Sequence, residues 1–212
     1  MSVERQFLHE VLFRGLDKHS RLGGKVVSMA GCGALGSWTA VFLARMGVRV
    51  FRLIDKDRVE VHNVSTQCFT PQDVGQSKVK AVQQMLYRLN GARCETHFME
   101  LNERNSVGLL AASDLVVCTF DNKRSREVVK GTCLLIPCVF GAMNGGHMYL
   151  EVLWAEDYVA PDDPVGVEVD PCNYPMSTTL VTLTSSLLAE ASISFLLDGV
   201  RRKGRLGFNE VF

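Results

Sequence analysis

Apolar positions recur along this chain in two periods, and the alternation between them predicts its elements. Phe7, Leu8, Val11, Leu12 and Leu16 fall at helical spacing and predict a helical N-terminal segment, residues 1–22. Arg5, His9, Arg14 and Arg21 occupy its polar positions. Short apolar runs then predict strands at about 26–30 and 49–54, separated by a helix over about 37–46 that Gly47 closes. Residues 55–75 show little periodicity and read as a loop with a turn at Thr70-Pro71. Val79, Val82, Met85, Leu86 and Leu89 share one face of a helix over about 76–90, ended by Asn90-Gly91. A strand at 94–100, a short helix near 106–112, a doubly buried strand at 115–120 and a helix at 124–132 follow. Two more strands are predicted at 134–140 and 148–154, linked through Gly141, Gly145 and Gly146. Residues 155–178 hold Pro161, Pro164, Pro171 and Pro175 and read as a long mobile loop. A strongly apolar helix over about 179–197 completes the core.

The order β-α-β-α-β-α-β, with further strands after it, predicts an α/β fold with a largely parallel sheet covered by helices. Residues 23–212 form a single domain on this reading. The first strand runs into Gly31-Cys32-Gly33-Ala34-Leu35-Gly36, a G-x-G-x-x-G turn. Such glycines allow a sharp turn, close approach of backbone to a phosphate, and tight packing of the next helix. The second strand ends at Asp55, followed by Lys56 and Asp57, where carboxylates can accept hydrogen bonds from ribose hydroxyls. The fold is therefore Rossmann-like, with its nucleotide crevice at the carboxyl ends of the strands. Two solvated loop acids are the alternative reading of Asp55 and Asp57. The glycine turn and Asp55 alone leave NAD and ATP both open.

Composition narrows the classes. In 212 residues, Lys+Arg and Asp+Glu number 23 each, so no basic field recruits nucleic acid. No apolar run is read as approaching the roughly 20 residues that span a bilayer, so no membrane partner is expected. The polar start of the chain has no apolar signal core. Seven cysteines without a C-x-x-C pair predict reduced thiols in a cytoplasmic protein and no four-cysteine zinc site.

Three further segments carry a resemblance. Asp55 to Gln67, Asp73-Val74-Gly75-Gln76-Ser77-Lys78 and Asp121-Asn122-Lys123-Arg124-Ser125-Arg126 stand in order behind the glycine turn. Together they resemble the ThiF/MoeB/HesA family, which activates sulfur-carrier and ubiquitin-like proteins, from about residue 14 to 197. The resemblance implies ATP-dependent adenylation of a protein's C-terminal carboxylate, with ATP and Mg²⁺ bound. It implies Gly31, Gly33, Ala34, Leu35, Gly36, Asp55, Asp57, Asn63, Gln67, Lys78 and Asn122 around the nucleotide. Lys78 would bring its ammonium to the phosphates and Asp121 would hold the metal. Arg126 would secure the loop. The implied partner is a small ubiquitin-like or sulfur-carrier protein ending in Gly-Gly, and Gly141–Gly146 is either a strand link or part of the surface that receives its tail.

Departures from the family pattern matter as much. Thr66 stands where an arginine is expected to contact phosphate, and a hydroxyl replaces neither its charge nor its fork. Arg14 or Arg5 is a candidate compensating cation; in the family an arginine from this region reaches the partner subunit's site, which implies a symmetric homodimer. Cys172, in the proline-rich loop, is either an incidental residue or a thiol that takes the acyl group as a thioester. Two other readings stay open: a non-catalytic family member acting as dimer partner or scaffold, and an NAD-dependent oxidoreductase, which leaves Lys78 and Asp121 without a role.

Overall fold

The structure is a computed structural model that describes residues 3–144, 149–161 and 176–207. Its described strands form one seven-stranded sheet in the order β3-β2-β1-β4-β5-β6-β7. They are β1 (Val26–Ala30), β2 (Val50–Asp55), β3 (Arg93–Phe98), β4 (Leu115–Cys118), β5 (Cys138–Asn144), β6 (Tyr149–Trp154) and β7 (Gly204–Gly207). The first five run parallel, with β1 between β2 and β4; β6 and β7 are antiparallel additions. All four residues of β4 are buried, as a strand covered on both faces requires.

Two apolar layers sandwich the sheet. Val27, Met29, Phe51 and Leu53 face α4 (Ala34–Met46), α5 (Lys78–Asn90) and α8 (Thr178–Asp198). Ala30, Ile54, Val116 and Cys118 face α6 (Ser106–Leu110) and α7 (Lys123–Thr132). The alternation of side chains along each strand assigns them to opposite layers. α4 is apolar nearly all round because it lies between the sheet and α8, with Leu43 and Ala44 fully buried.

Several expectations shift. The N-terminal helix is broken into α1 (Val3–Gln6), α2 (Leu8–Arg14) and α3 (Leu16–Ser20), because Gly15 takes φ +87° and Phe7 turns inward against His19. The strand expected from Leu134 begins at Cys138, leaving Leu134 and Leu135 exposed on the preceding loop. Gly141–Asn144 is strand rather than link: a Cβ at Gly141 would lie 2.5 Å from Leu188 Cδ2, so glycine marks where α8 presses on β5. Gly145 and Gly146 lie outside the described residues. β7, polar and glycine-flanked, gave no strand signal and is fixed by pairing with β6 and by Arg205–Glu151 contacts at 2.6 Å.

One further correction concerns α8. Its 21 residues contain an 18-residue window with a mean hydropathy of 1.7, so the helix is long and apolar enough to cross a membrane by length and composition. Two-thirds of the apolar window is buried within the protein, against α4, β5 and β6. Seven serines and threonines after Thr178, among them Thr184, Ser185 and Ser192, interrupt the apolar run in sequence. The hydroxyls of Thr182, Thr184, Ser185, Ser186, Ser192 and Ser194 are absorbed by bonds within the fold, as Ser192 Oγ donates to the Leu188 carbonyl at 2.7 Å.

Candidate functional site

A pocket opens at the carboxyl ends of β1, β2, β3 and β4, lined by Gly31, Gly33, Asp55 to Asp57, Lys78, Met99 to Leu101, Thr119 to Asn122 and Ser125. Its floor is the glycine turn. Gly31 takes φ +105° and its amide donates to the Ile54 carbonyl at 2.9 Å. A Cβ at Gly36 would lie 2.1 Å from the Gly31 carbonyl oxygen, so only glycine lets α4 start this close to β1. α4 begins at Ala34, three residues earlier than the periodicity implied, so its first turn lies inside the glycine motif. Ala34, Leu35 and Gly36 form that turn directly behind the pocket-lining Gly33.

The two acids after β2 have different surroundings. Asp55 is buried; its Oδ2 accepts from the Cys32 amide at 2.7 Å and its Oδ1 from the Asp57 amide at 2.8 Å. It braces the glycine turn against the end of β2. Burial pushes its carboxyl above the ordinary range, against the pull of Lys78 and of both amides. Asp57 is the freer acid, with 53% of its side chain exposed, and its Oδ2 meets Lys78 Nζ at 3.0 Å. Burial works against the Lys78 ammonium, yet Asp55, Asp57 and then Asp121 outweigh it and hold its pKa above the usual lysine value. Lys78 is therefore a fully charged, buried cation surrounded by three carboxylates.

Asp121 is exposed at the pocket wall, just after β4. Asn122 caps α7, its Oδ1 accepting from the Ser125 amide at 2.9 Å, and its Nδ2 lies 3.3 Å from Asp121 Oδ1. Arg126 is buried and donates through Nε to the Phe120 carbonyl and through Nη1 to the Tyr158 hydroxyl. Lys130 Nζ donates to the Tyr158 carbonyl, and Tyr158 stacks on Phe140 with ring centroids 4.0 Å apart. This network clamps the residue before Asp121 between α7 and the segment leaving β6.

Other candidates lie elsewhere. Asn63 is buried in a short 3-10 turn, Val61–Ser65, where its Oδ1 accepts from the Glu60 amide at 2.9 Å. Gln67 follows beside the start of α4, its Oε1 without a partner. Neither lines the pocket with Lys78 and Asp121. Arg14 is held within its own chain, by Glu10 at 2.6 Å and by Glu190 on α8 at 2.7 Å. Cys172 lies outside the described residues. Burial raises the Cys32 thiol and pushes Cys68 and Cys94 to about 11 and Cys118 to about 12, so none of these four is a thiolate near neutrality.

The ThiF family pattern matches residues 4–208. The chain belongs to the ThiF family. It is 35% identical over 133 residues to the sulfur carrier protein adenylyltransferase of Thermus thermophilus, covering 61% of this chain and 49% of that protein. It is 34% identical over 132 residues to the adenylyltransferase and sulfurtransferase MOCS3 of Anopheles gambiae, covering 60% of this chain and 30% of that protein. The matched length is thus less than half of either relative. Among solved structures, PaaA superposes with a TM-score of 0.77 at 20% identity, over 99% of this chain and 72% of that one. E. coli MccB, solved with AMPCPP and MccA, superposes with 0.74 at 17% identity, over 96% and 70%. Those two likenesses are of fold.

Within this ThiF-family fold, Thr66 is half-buried and its carbonyl accepts from Trp38 Nε1 at 3.0 Å. It offers no charge to the pocket. The pocket also gathers residues that the motifs did not single out: Lys56, Met99, Glu100, Leu101, Thr119, Phe120 and Ser125. Met99 and Glu100 escaped because β3 ends at Phe98, two residues before the expected strand end, which turns them from strand into pocket rim. The available signal was topological, since whatever follows β3 must lie at the same sheet end as Asp55.

Proposed function

We propose that this chain uses ATP to adenylate the C-terminal glycine carboxylate of a small ubiquitin-like or sulfur-carrier protein. One observation carries the reading: Lys78, a buried ammonium, and Asp121, an exposed carboxylate, share one pocket with the glycine turn. The names of the relatives support it, both being adenylyltransferases. In the reaction a carboxylate oxygen of the carrier attacks the α-phosphorus of ATP. The bond from that phosphorus to the bridging oxygen of the β-phosphate breaks, and pyrophosphate leaves with the electron pair. No protein nucleophile is required, so catalysis rests on position and charge.

Each residue then has a task. The backbone from Gly31 to Gly33 and the first-turn amides of α4 take the phosphates. Asp57 holds the ribose hydroxyls once Lys78 swings its ammonium from Asp57 to the phosphates. Asp55 keeps the turn in shape. Among the described residues, Asp55, Asp57, Glu100 and Asp121 line the pocket against Lys56 and Lys78, so a polyanion needs further positive charge. Asp121, with Asn122 beside it, suits Mg²⁺, which takes one or two carboxylates together with substrate phosphates and keeps several waters. Among the described residues no group of three or more His, Cys, Asp or Glu forms a closed metal cage, which fits an ion held partly by substrate. When bound, the ion neutralises phosphate charge and eases departure of pyrophosphate.

The exposed apolar side chains of Leu8, Leu12, Phe13 and Leu16 on α2 and α3 support a homodimer formed through this face. Free cysteines support a reducing, cytoplasmic setting. The same reading offers Cys172 as acceptor in a second step, its thiolate attacking the acyl carbon while AMP leaves; a carrier adduct that hydroxylamine releases and Cys172→Ala lacks is the expected sign. The principal test is intact-mass analysis of a carrier ending in Gly-Gly after incubation with the protein and Mg–ATP. A gain matching AMP, lost in Asp121→Ala, supports the reading, and no gain in any preparation contradicts it. Thr66 favours a second reading, a non-catalytic dimer partner, which predicts ATP binding without the mass gain. NAD binding in place of ATP would point to the oxidoreductase instead.

A further inference from the structure

The order of strands dictates how a nucleotide lies across the pocket. From one side to the other the walls are Met99 to Leu101 after β3, Asp55 to Asp57 after β2, the glycine turn after β1, and Asp121 after β4. With phosphates over the glycine turn and ribose at Asp57, the end of β3 is what remains for the base. Lys56 Nζ and Glu100 Oε1 face each other there at 3.4 Å, with side chains 58% and 56% exposed. Met99 and Leu101 supply apolar surface on either side of Glu100 in sequence. A second contact ties the same two segments, since the Arg58 guanidinium lies 5.2 Å over the Phe98 ring.

We propose that the Lys56–Glu100 pair reads the base and selects adenine over guanine; this inference rests on the ATP reading above. One edge of adenine presents the N6 amino donor next to the N7 acceptor, whereas guanine presents two acceptors there, O6 and N7. A carboxylate beside an ammonium is the matching acceptor beside a donor. Glu100 accepts from the N6 amino group and Lys56 donates to N7. Guanine instead sets O6 against the carboxylate, with no proton between them. As an exposed pair, Lys56–Glu100 contributes little to folding, so variants at either position should fold as the wild type does.

Calorimetric titration with Mg–ATP, Mg–GTP and Mg–7-deaza-ATP tests this on the wild-type chain, Glu100→Gln and Lys56→Met. The wild type should favour ATP over GTP by about tenfold or more, because a site built for a donor rejects the analogue lacking it. Glu100→Gln, whose amide can donate to O6, should bring that ratio to within about threefold of unity. Loss of N7 should cost the wild type about fivefold, and Lys56→Met nothing, because its partner is already gone. An ATP:GTP ratio that Glu100→Gln leaves unchanged, or equal binding of both by the wild type, overturns the inference. If the wild type favours ATP and the variants do not differ, the ATP reading stands and only the base-reading pair falls. If the wild type binds no nucleotide, both fall.

Discussion

Lys78 carries its charge against burial, and the carboxylates of Asp55, Asp57 and Asp121 outweigh that burial and raise its pKa. Such a cation is poised to exchange a carboxylate for a phosphate. Lys78→Met should lower adenylation by about two orders of magnitude, because an electrostatic donor to developing charge is lost. Turnover with saturating carrier, read beside an unchanged circular dichroism spectrum, checks this. Gly36→Ala acts on the fold rather than on charge. Its Cβ would meet the Gly31 carbonyl at 2.1 Å, so overpacking should cost about 3 kcal/mol or more, read as a drop in Tm. Gly31, Asp55, Lys78 and Asp121 could be singled out from the sequence because each belongs to a short-range motif. Glu100 and Tyr158 could not: their partners, Lys56 and Arg126, are 44 and 32 residues away, and only packing brings them together.

At the scale of elements, two side-chain networks tie helices to the rest of the fold, and the first of them adjoins the pocket. Arg126 ties the Phe120 carbonyl to Tyr158, so α7 and the segment after β6 jointly aim Asp121. Tyr158→Phe removes the hydroxyl and leaves a buried guanidinium under-satisfied, which should cost about 1–3 kcal/mol. If the clamp positions Asp121, the variant should also need more Mg²⁺ for half-maximal turnover, a change that mere destabilisation would not produce. The second network holds α2 to α8. Hydrogen bonding from Arg14 keeps the Glu190 carboxyl below its ordinary value of 4.5, against burial. Because the folded value is the lower one, this contribution is complete above about pH 4.5 and fades as pH falls through the folded pKa. Arg14→Ala should therefore lower Tm at pH 7 and converge on the wild type in acid, as melting curves across pH 3–7 would reveal. The periodicity marked α2 as amphipathic, yet Gly15 and the inward Phe7 broke the run, a tertiary override of local pattern.

For the whole molecule, the α/β order was legible because strands buried on both faces read as continuous apolar runs and the helices between them as 3.6-residue periods. The antiparallel margin was less so. β7 is Gly-Arg-Leu-Gly, with too little apolar surface to announce a strand, and it exists through pairing with β6 and the Arg205–Glu151 contact. The proposed dimer belongs to this scale. Leu12 and Phe13 are among the more exposed apolar residues of the described chain, and placing charge there should prevent association through this face. Leu12→Glu with Phe13→Glu should shift the light-scattering mass from dimer to monomer without lowering Tm; an unchanged mass would move the interface elsewhere.

Carrier-dependent exchange of labelled pyrophosphate into ATP tests the central claim most directly, because it reads the reversible adenylation step whatever follows it. With a carrier ending in Gly-Gly, the wild-type chain should exchange label, and Lys78→Met and Asp121→Ala should fall to background. Exchange absent from the wild type, or undiminished in both variants, would contradict the account.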